Sequence, residues 1–560
     1  MTRNGSIGML IAVLALTGLA SRAGAQQISD TRIRELIKEA AAGVASGLTQ
    51  TQQIAPTGGD SRPVVPLTLD DAVKLALDRN LDIAVQRLNP EINDIGIARI
   101  RSIYHPALTS TLSTQSTTTP ANSTLAGSQT AGVPIVASLG TFNGGIAQSV
   151  PWGGGAFNVA LNNNRQRTTS QNTLYNPVFN TNWSGVYTQP LLRGFAIDST
   201  RQQLAVTRIN RDISDVQLRA TITNTVSNVR NAYWDYVFAV QSVDVAQQSV
   251  TLANQLVKDN QTRVEVGTMA PIDVVQAQSQ AATQQQNLVT AQGAMRTAEL
   301  ALKRLIVAGT QDQNWNVRLD PVDHPDFRPE PVDVEGAVRR ALAERTDLDI
   351  AKKNMQANDV TLKYLRDQLK PQADFIGTYG LVGLGGTQLL KAPGSGVNGE
   401  TIGTVPGGYG DALSTLLNSN FPRWTAQVNI SYPLGVSSQE AAVARARVQV
   451  NQVQAQVHQI ELQVATDVSN AAINVQSGVE RVQAAQAARE FAQKTLEAEQ
   501  SKFEVGMSTN YNVILTQRDL ATAQSNELQA ILNYRKALVE LERLQQTTLT
   551  NLNISILTPQ

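Results

Sequence analysis

The 560-residue chain has no cysteine and only three histidines, and these shortages exclude several kinds of site. Without cysteine it can form neither a disulfide framework nor a lipid-modified N-terminal cysteine. The histidines His105, His324 and His458 are far apart in the sequence, so we expect no metal site. The motifs of a phosphate-binding loop and of a nucleophile elbow are also missing. The sequence therefore predicts no cofactor and no enzymatic activity.

Charge of one sign, aromatic residues and long apolar runs are also scarce. The 46 basic residues balance the 46 acidic ones, whereas a nucleic-acid-binding surface needs a basic excess, so we expect no nucleic-acid partner. Aromatic residues make up only 5% of the chain, so few bulky side chains are available for a thick core and long, thin packing suits the composition better. Beyond the N-terminus no segment approaches the roughly 20 apolar residues of a membrane-spanning helix.

The first 25 residues have the features of a secretory signal peptide. Arg3 provides the positive charge, residues 7–20 the apolar core, and residues 23–25 the small side chains before a cleavage site. A short membrane anchor is the alternative, but this apolar run is too short to span a bilayer. We therefore predict an exported protein with a signal peptide at 1–25 and an N-terminal appendix at 26–66.

The second half of the chain repeats the first. Residues 263–278 align without a gap on residues 502–517, an offset of 239, with five of the sixteen positions identical. At an offset of 265, seven further residues between 72 and 106 recur between 337 and 371. Two copies of one unit indicate pseudo-symmetry within the chain. We divide the rest of the chain into repeat 1 at 67–308, a proline-rich linker at 309–331, repeat 2 at 332–548 and a C-terminal tail at 549–560.

Each repeat is predicted to contain an opening helix, a region of strands, a long helix and a return helix. The long helices, at 199–266 and 438–505, lack proline and carry apolar residues at spacings of three and four, which is typical of coiled-coil-like packing. A glycine follows each long helix and indicates its end. One opening helix of about 35 residues and one return helix together match a long helix in length. We therefore expect two short helices, stacked end to end, to lie alongside one long helix.

The clearest strand signal lies in repeat 2. Trp424, Ala426, Val428, Ile430 and Tyr432 alternate with polar residues, which is typical of a transmembrane β-strand with its apolar side towards lipid and its polar side towards a wet lumen. An ordinary half-buried strand shows the same alternation and is the alternative. Weaker partner strands are indicated elsewhere in both repeats. We predict about four strands per chain, and six if an extra hairpin forms around the Trp-Gly-Gly-Gly turn at 152–155.

The order of these features resembles the TolC-type outer-membrane efflux family. A strand is followed by Gln-Pro-Leu-Leu-Arg-Gly at 189–194, a long helix, a Val-Gly turn and Asp-Val-x-x-Ala-Gln at 273–278, and the series recurs with variation over about 67–548. The resemblance implies an α+β membrane protein. In it, a homotrimer forms one outer-membrane β-barrel, surrounded by outer-membrane lipid and continuous with a long periplasmic α-helical barrel. It further implies a passive exit duct of a tripartite efflux pump or a type I secretion system, fed by a periplasmic adaptor and an inner-membrane transporter.

By this resemblance the two turns are periplasmic tips that dock the adaptor, through Val266, Gly267, Thr268, Val505, Gly506 and Met507. The family narrows its pore near the tips with carboxylates. Asp273 stands at such a position in repeat 1, whereas Asn512 and Leu515 occupy the corresponding positions in repeat 2. We expect a gate that includes Asp273 and Asn512. A ring of three Asp273 carboxylates would favour cations, and the alternative is that Asp273 only complements its helix dipole.

Two alternatives remain open from the sequence. The first is an exported trimeric coiled-coil or adhesin-like structural protein with a β-barrel anchor, although such a protein needs no repeated turn facing the periplasm. The second concerns cargo, because nothing in the sequence distinguishes efflux of drugs or metals from secretion of polypeptides.

Overall fold

The computed structural model describes residues 62–121, 127–128, 132–324, 327–329, 331–393, 399–435 and 437–554. The predicted signal peptide, most of the appendix and the end of the tail lie outside these residues. The chain from Val64 onwards forms one compact unit.

Helices and strands alternate along the chain in two similar series. The helices are α1 Leu69–Arg79, α2 Leu81–Arg101, α3 Ser199–Glu265, α4 Pro271–Ile306, α5 Val334–Glu344, α6 Thr346–Asp367, α7 Tyr409–Leu417, α8 Ser438–Glu504, α9 Asn510–Leu544 and α10 Thr548–Asn551. The strands are β1 Val64–Leu67, β2 Ala107–Pro120, β3 Pro134–Ser149, β4 Ala156–Thr168, β5 Tyr175–Pro190, β6 Arg318–Pro321, β7 Gln372–Lys391, β8 Thr401–Val405 and β9 Pro422–Ser431.

The helices reproduce the internal repeat. The start of α5 follows that of α1 by 265 residues, and α8 follows α3 by 239 residues, the two offsets found in the sequence. Both α3 and α8 have 67 residues, which at 1.5 Å per residue corresponds to roughly 100 Å. Within the described residues none of the helices combines the length and the apolar character required to cross a bilayer.

Each opening helix is broken once, which corrects the expectation of one continuous helix of about 35 residues. In repeat 1 the break is at Asn80, whose side-chain oxygen accepts the N–H groups of Asp82 and Ile83 at 2.9 and 3.2 Å. Its amide nitrogen donates to the carbonyl of Leu305 at 2.9 Å. Asparagine is a preferred N-cap because its side chain satisfies these first N–H groups. A new helix, α2, therefore starts at this point instead of α1 continuing.

The long helices pack as the length argument predicts. The helix α3 lies against α4 and against the α1–α2 pair, and α8 lies against α9 and the α5–α6 pair. The valines of α8 form its buried stripe, with Val464, Val468 and Val475 fully enclosed. The two series also contact each other, because α3 packs on α6 and α9. Narrow β-branched side chains therefore fill the core along α8, whereas the core along α3 also contains large aromatic side chains such as Tyr233 and Tyr236.

A two-stranded parallel sheet, which the sequence did not indicate, joins the start of repeat 1 to the linker. In this sheet β1 pairs with β6. Close to it lies an almost fully enclosed ion pair between Glu299 and Lys303, with the nitrogen and oxygen 2.8 Å apart. The Lys303 ammonium also donates to the carbonyls of Trp315 and Val317. The pair therefore attaches the linker to the end of α4.

The long strands form one antiparallel sheet in the order β2-β3-β4-β5-β7, and both β8 and β9 pair with the free edge of β7. The predicted alternative of six strands, which required an extra hairpin, is therefore closer to the structure than the count of about four. Repeat 1 alone provides four strands, because the hairpin around 152–155 does form, between β3 and β4. Since β8 and β9 occupy different ends of β7, at most six strands lie side by side at any level of the sheet.

The register places apolar side chains on one face of this sheet. Residues that are directly opposite in an antiparallel pair point to the same side, so the pairings assign to that face Leu108, Leu112, Phe142, Ile146, Phe157, Val159, Leu161, Phe179, Trp183, Tyr187, Phe375, Tyr379, Leu381, Trp424, Val428 and Ile430. The other face carries mostly asparagine, threonine, serine and glutamine. We refer to these as the apolar face and the polar face.

Candidate functional site

The two turns at the ends of the long helices have the same backbone geometry. At the first turn, Gly267 has a φ of 77° and the N–H of Thr268 donates to the carbonyl of Arg263 at 2.8 Å. At the second, Gly506 has a φ of 76° and the N–H of Met507 donates to the carbonyl of Lys502 at 2.8 Å. This bond over five residues with a left-handed glycine is a Schellman motif. Of the three matched pairs of predicted tip residues, only Thr268 and Met507 differ in chemistry, and both turns keep the same backbone geometry.

Apolar side chains project from both turns. Val266 is 68% exposed, Val505 71% and Met507 79%. No described atom lies within 4 Å of the position that a Cβ would take at Gly267 or Gly506. The turns therefore present small, open apolar surfaces.

Next to the turns the two helical hairpins are joined by an apolar cluster. Leu256 of α3, Ala277 of α4, Leu496 of α8 and Val513 of α9 are buried together, and Phe503 completes the cluster. All four helices that lead to the turns contribute, so the cluster holds the two hairpins side by side.

A buried polar link lies beside this cluster. The Asn260 side chain, which is fully buried, donates to the Asn510 side-chain oxygen at 2.8 Å. The Asn510 amide donates in turn to the main-chain carbonyl of Asp273 at 3.2 Å. In addition, the Arg263 guanidinium donates to the carbonyl of Phe503 at 3.1 Å and lies 4.4 Å from the centre of its ring. We call Asn260, Asn510, Arg263 and Phe503 the hairpin link.

The two predicted gate residues are not equivalent. Asp273 is half-buried and contributes its main-chain carbonyl to the hairpin link. Asn512 is exposed, and its amide donates to the Ser508 hydroxyl at 3.4 Å. The same hydroxyl hydrogen-bonds to Glu499, and this bond, together with Lys502, lowers the pKa of the Glu499 carboxyl. Glu499, which the sequence analysis did not single out, therefore places an anionic group beside Asn512 in repeat 2.

The predicted strand residues lie where the alternation indicates. Trp424, Ala426, Val428 and Ile430 occupy the apolar face of β9, and Tyr432 follows the end of the strand. Trp424 and Ile430 are 75% and 74% exposed. They therefore form part of a continuous apolar surface across the sheet.

The hairpin link escaped the sequence analysis because its members are about 240 to 250 residues apart. Asn260 and Asn510 belong to different repeats, and neither matches the other in the alignment of the two turns. The available signal was an asparagine within the otherwise apolar positions of a long helix, which indicates a buried hydrogen-bonding partner.

Comparison with known proteins identifies the fold and the family. A sequence model described as outer membrane efflux protein matches residues 156–307 and 337–545. This chain belongs to the outer membrane efflux protein family. The two matched segments fall in the two repeats. No curated protein sequence matches the chain.

Solved structures of outer-membrane channels share this fold. The outer-membrane channel OprN superposes with a TM-score of 0.60 at 13% identity, over 85% of this chain and 89% of that one. The CmeC outer membrane channel of Campylobacter jejuni gives 0.59 at 13% identity, over 85% of both chains. A membrane protein from Pseudomonas aeruginosa gives 0.61 at 16% identity, over 89% and 96%.

The chain is therefore an outer-membrane efflux channel whose helical part is periplasmic, and not an enzyme. The α+β fold with two internal repeats, expected from the resemblance to TolC-type proteins, is confirmed. These comparisons give no support to the adhesin-like alternative.

Proposed function

We propose that three copies of this chain form the exit duct of a tripartite efflux pump or a type I secretion system. A periplasmic adaptor would deliver substrates to the duct, and an inner-membrane transporter would supply the energy. The observation that carries the proposal is the pair of matched helical hairpins ending in open apolar turns, attached to a sheet whose two edges are unpaired.

The sheet itself supports oligomerisation. Its outer strands, β2 on one side and β8 with β9 on the other, have no further partner among the described residues. In a bilayer each unsatisfied backbone group costs several kcal/mol, and only closure removes the edges. Three copies with six strands at each level would give a barrel of eighteen strands. Barrels of 16 to 18 strands are wide enough for an aqueous channel.

The two faces of the sheet give the orientation in this barrel. We propose that the apolar face, including Trp424, Ala426, Val428, Ile430 and the flanking Tyr432, contacts lipid. The polar face would then line the lumen. This is the pattern of transmembrane barrels, with aromatic residues towards the interfaces.

At the other end, we propose that the turns at 266–268 and 505–507 dock the adaptor. Val266, Val505 and Met507 are exposed and apolar, and the glycine between them permits a close approach of the partner's backbone. Behind the turns, a gate would include Asp273 and Asn512. Glu499 would add a second carboxylate from repeat 2, so that the ring need not rely on Asp273 alone.

A charged substitution in the docking surface tests this proposal. We expect the double variant Val266→Asp/Val505→Asp to lose dye efflux in cells, because it places carboxylates in an apolar contact. A tryptophan at Gly267 would be a poorer choice, since a side chain at positive φ adds strain of roughly 1–2 kcal/mol. The matched control is Val289→Asp on α4, where the valine is 59% exposed and distant from the turns in sequence.

Three readouts separate the possible failures. Docking is supported if the double variant keeps its outer-membrane abundance and its conductance in planar bilayers but loses efflux, while the control keeps all three. If the double variant and the control export dye equally well, the turns are not the docking surface.

A further inference from the structure

The short helix α7 lies on the apolar face of the sheet. Its Tyr409 ring makes edge contacts with Phe142 and Phe179, with centroids 5.4 and 6.3 Å apart. The Tyr409 hydroxyl donates to the side-chain oxygen of Asn163 at 3.0 Å. The register places all three of these strand residues on the apolar face. The helix therefore covers part of that face.

Two glycines of β7 form the seat for α7. A Cβ at Gly383 would lie 2.0 Å from the carbonyl oxygen of Ala412, and one at Gly385 would lie 2.4 Å from the nitrogen of the same residue. Ala412 and Leu416 are buried against this seat. Because any side chain at either glycine would displace the helix, the position of α7 is built into the sheet.

The outer side of α7 is apolar along one edge. Leu417 is 70% exposed, and Phe421, which follows the helix, is 56% exposed. By helical period Leu413 shares the side of Leu417, whereas the exposed residues Asp411 and Asn418 lie on the other. Trp424, near the start of β9, is also exposed. An amphipathic helix of this kind fits the boundary between lipid and water.

Charges on the apolar face occur at the same end of the sheet as α7. The seven strands contain only five charged residues, which are Arg165, Arg167, Asp374, Lys391 and Arg423. Asp374 and Arg423 point to the polar face. Arg165 pairs with Phe179 of β5, and Phe179 in turn pairs with Gly385, one of the two glycines under α7. Arg167 lies two residues beyond Arg165 on the same face of β4. Both arginines are exposed.

We propose that α7 and the two arginines form a contact surface for the outer leaflet of the outer membrane. The apolar edge of α7, with Leu417 and Phe421, enters the acyl boundary, while Arg165 and Arg167 bind the phosphates of lipid headgroups. This inference rests on the proposed orientation of the sheet, because it continues the lipid-facing surface towards the exterior. Because Gly383 and Gly385 fix α7 at one level of the sheet, this contact would set the depth of the barrel in the membrane.

The absence of cysteine allows a direct test by spin labelling, because every introduced cysteine is unique. The full-length protein would carry a nitroxide at Leu417→Cys, at Asn418→Cys as the matched exposed site on the polar side at the end of α7, or at Val428→Cys in β9. The probe is a vesicle of phosphatidylcholine and phosphatidylglycerol. We expect the labels at 417 and 428 to collide mainly with oxygen, and the label at 418 to collide mainly with a water-soluble nickel complex.

Each other result overturns the inference. If the label at 417 is as accessible to nickel as the label at 418, α7 lies in water. If neither reagent reaches 417, a neighbouring copy of the chain covers α7. If the label at 428 also reports water, the proposed orientation of the sheet is wrong and not merely the role of α7.

The arginines are tested by lipid retention in native mass spectrometry. We expect the wild-type protein to retain phosphatidylglycerol in preference to phosphatidylcholine, and the preference to fall about five-fold for each arginine removed in Arg165→Gln/Arg167→Gln. The control is Arg423→Gln, which removes a charge from the polar face and should keep the preference. Equal retention by both variants would exclude a headgroup contact at Arg165 and Arg167.

Discussion

Removing the buried side chain of Asn260 should loosen the contact between the two helical hairpins and favour an open channel. In Asn260→Ala the hydrogen bond to Asn510, 2.8 Å long, is lost, and the Asn510 side-chain oxygen is left without this donor. The apolar cluster around Phe503 remains. We therefore expect the variant to fold and to reach the membrane, but with the hairpins less firmly joined.

The size of the effect follows from burial. Leaving a buried polar group without its partner costs about 1–3 kcal/mol. If three chains open together, the lower limit amounts to roughly 3 kcal/mol, or about a hundred-fold change in the ratio of closed to open channels. A free-energy change of this size exceeds the variation expected among surface substitutions.

The assay is single-channel recording in planar bilayers, with open probability as the readout. The matched control is Asn254→Ala, which changes the same residue type at an exposed position of the same helix. A double-mutant cycle with Asn510→Ala isolates the bond, because residues in contact show coupling well above the roughly 0.3–0.5 kcal/mol of independent sites. Additive effects, or an open probability equal to that of Asn254→Ala, would refute the role of the hairpin link.

Three further predictions concern stability. Lys303→Ala leaves the enclosed Glu299 carboxylate without its ion-pair partner, so we expect the free energy of unfolding, measured by chemical denaturation, to fall by about 3–5 kcal/mol. A decrease below about 1 kcal/mol would contradict the structural role of the pair. Burial raises the pKa of the Tyr233 phenol above its usual range, so this group stabilises the fold below pH 10 and its contribution is lost as the pH rises further. We therefore expect the melting temperature of Tyr233→Phe to decline less steeply than that of the wild-type protein between pH 9 and 11. Parallel curves for the two proteins would contradict this. Gly383→Val should displace α7 and expose residues 409–417 to protease on whole cells, whereas Gly293→Val, on an open helix surface, should not.

Local sequence patterns predicted the helices and strands whose formation depends largely on their own residues. The valine spacing of α8 and the glycine after it indicated both the helix and its end, and the alternation around Val428 indicated β9. Short elements held by distant partners left no such signal. The strand β1 exists because it pairs with β6, about 250 residues away, and α7 lies in a stretch rich in glycine, serine and threonine, where composition indicates a loop. Its helix is stabilised by packing on Gly383 and Gly385, not by intrinsic propensity.

In the candidate site, too, local features were predicted and features that depend on distant contacts were not. The turns at Gly267 and Gly506 were visible because each is local in sequence and both occur in the repeat. Asp273 was identified by the resemblance, whereas the hairpin link and Glu499 depend on contacts between repeats or across a turn, which a single sequence does not reveal. The break at Asn80 has a local cause, since an asparagine followed by an acidic residue is a cap signal, but a continuous apolar period on both sides hid it.

The central claim is that three copies of this chain enclose one water-filled duct. Single-channel recording of the purified full-length protein in planar bilayers tests it most directly. The account predicts discrete conductance steps from a species whose mass corresponds to three chains. A monomer that produces no conductance in the same bilayers would contradict it.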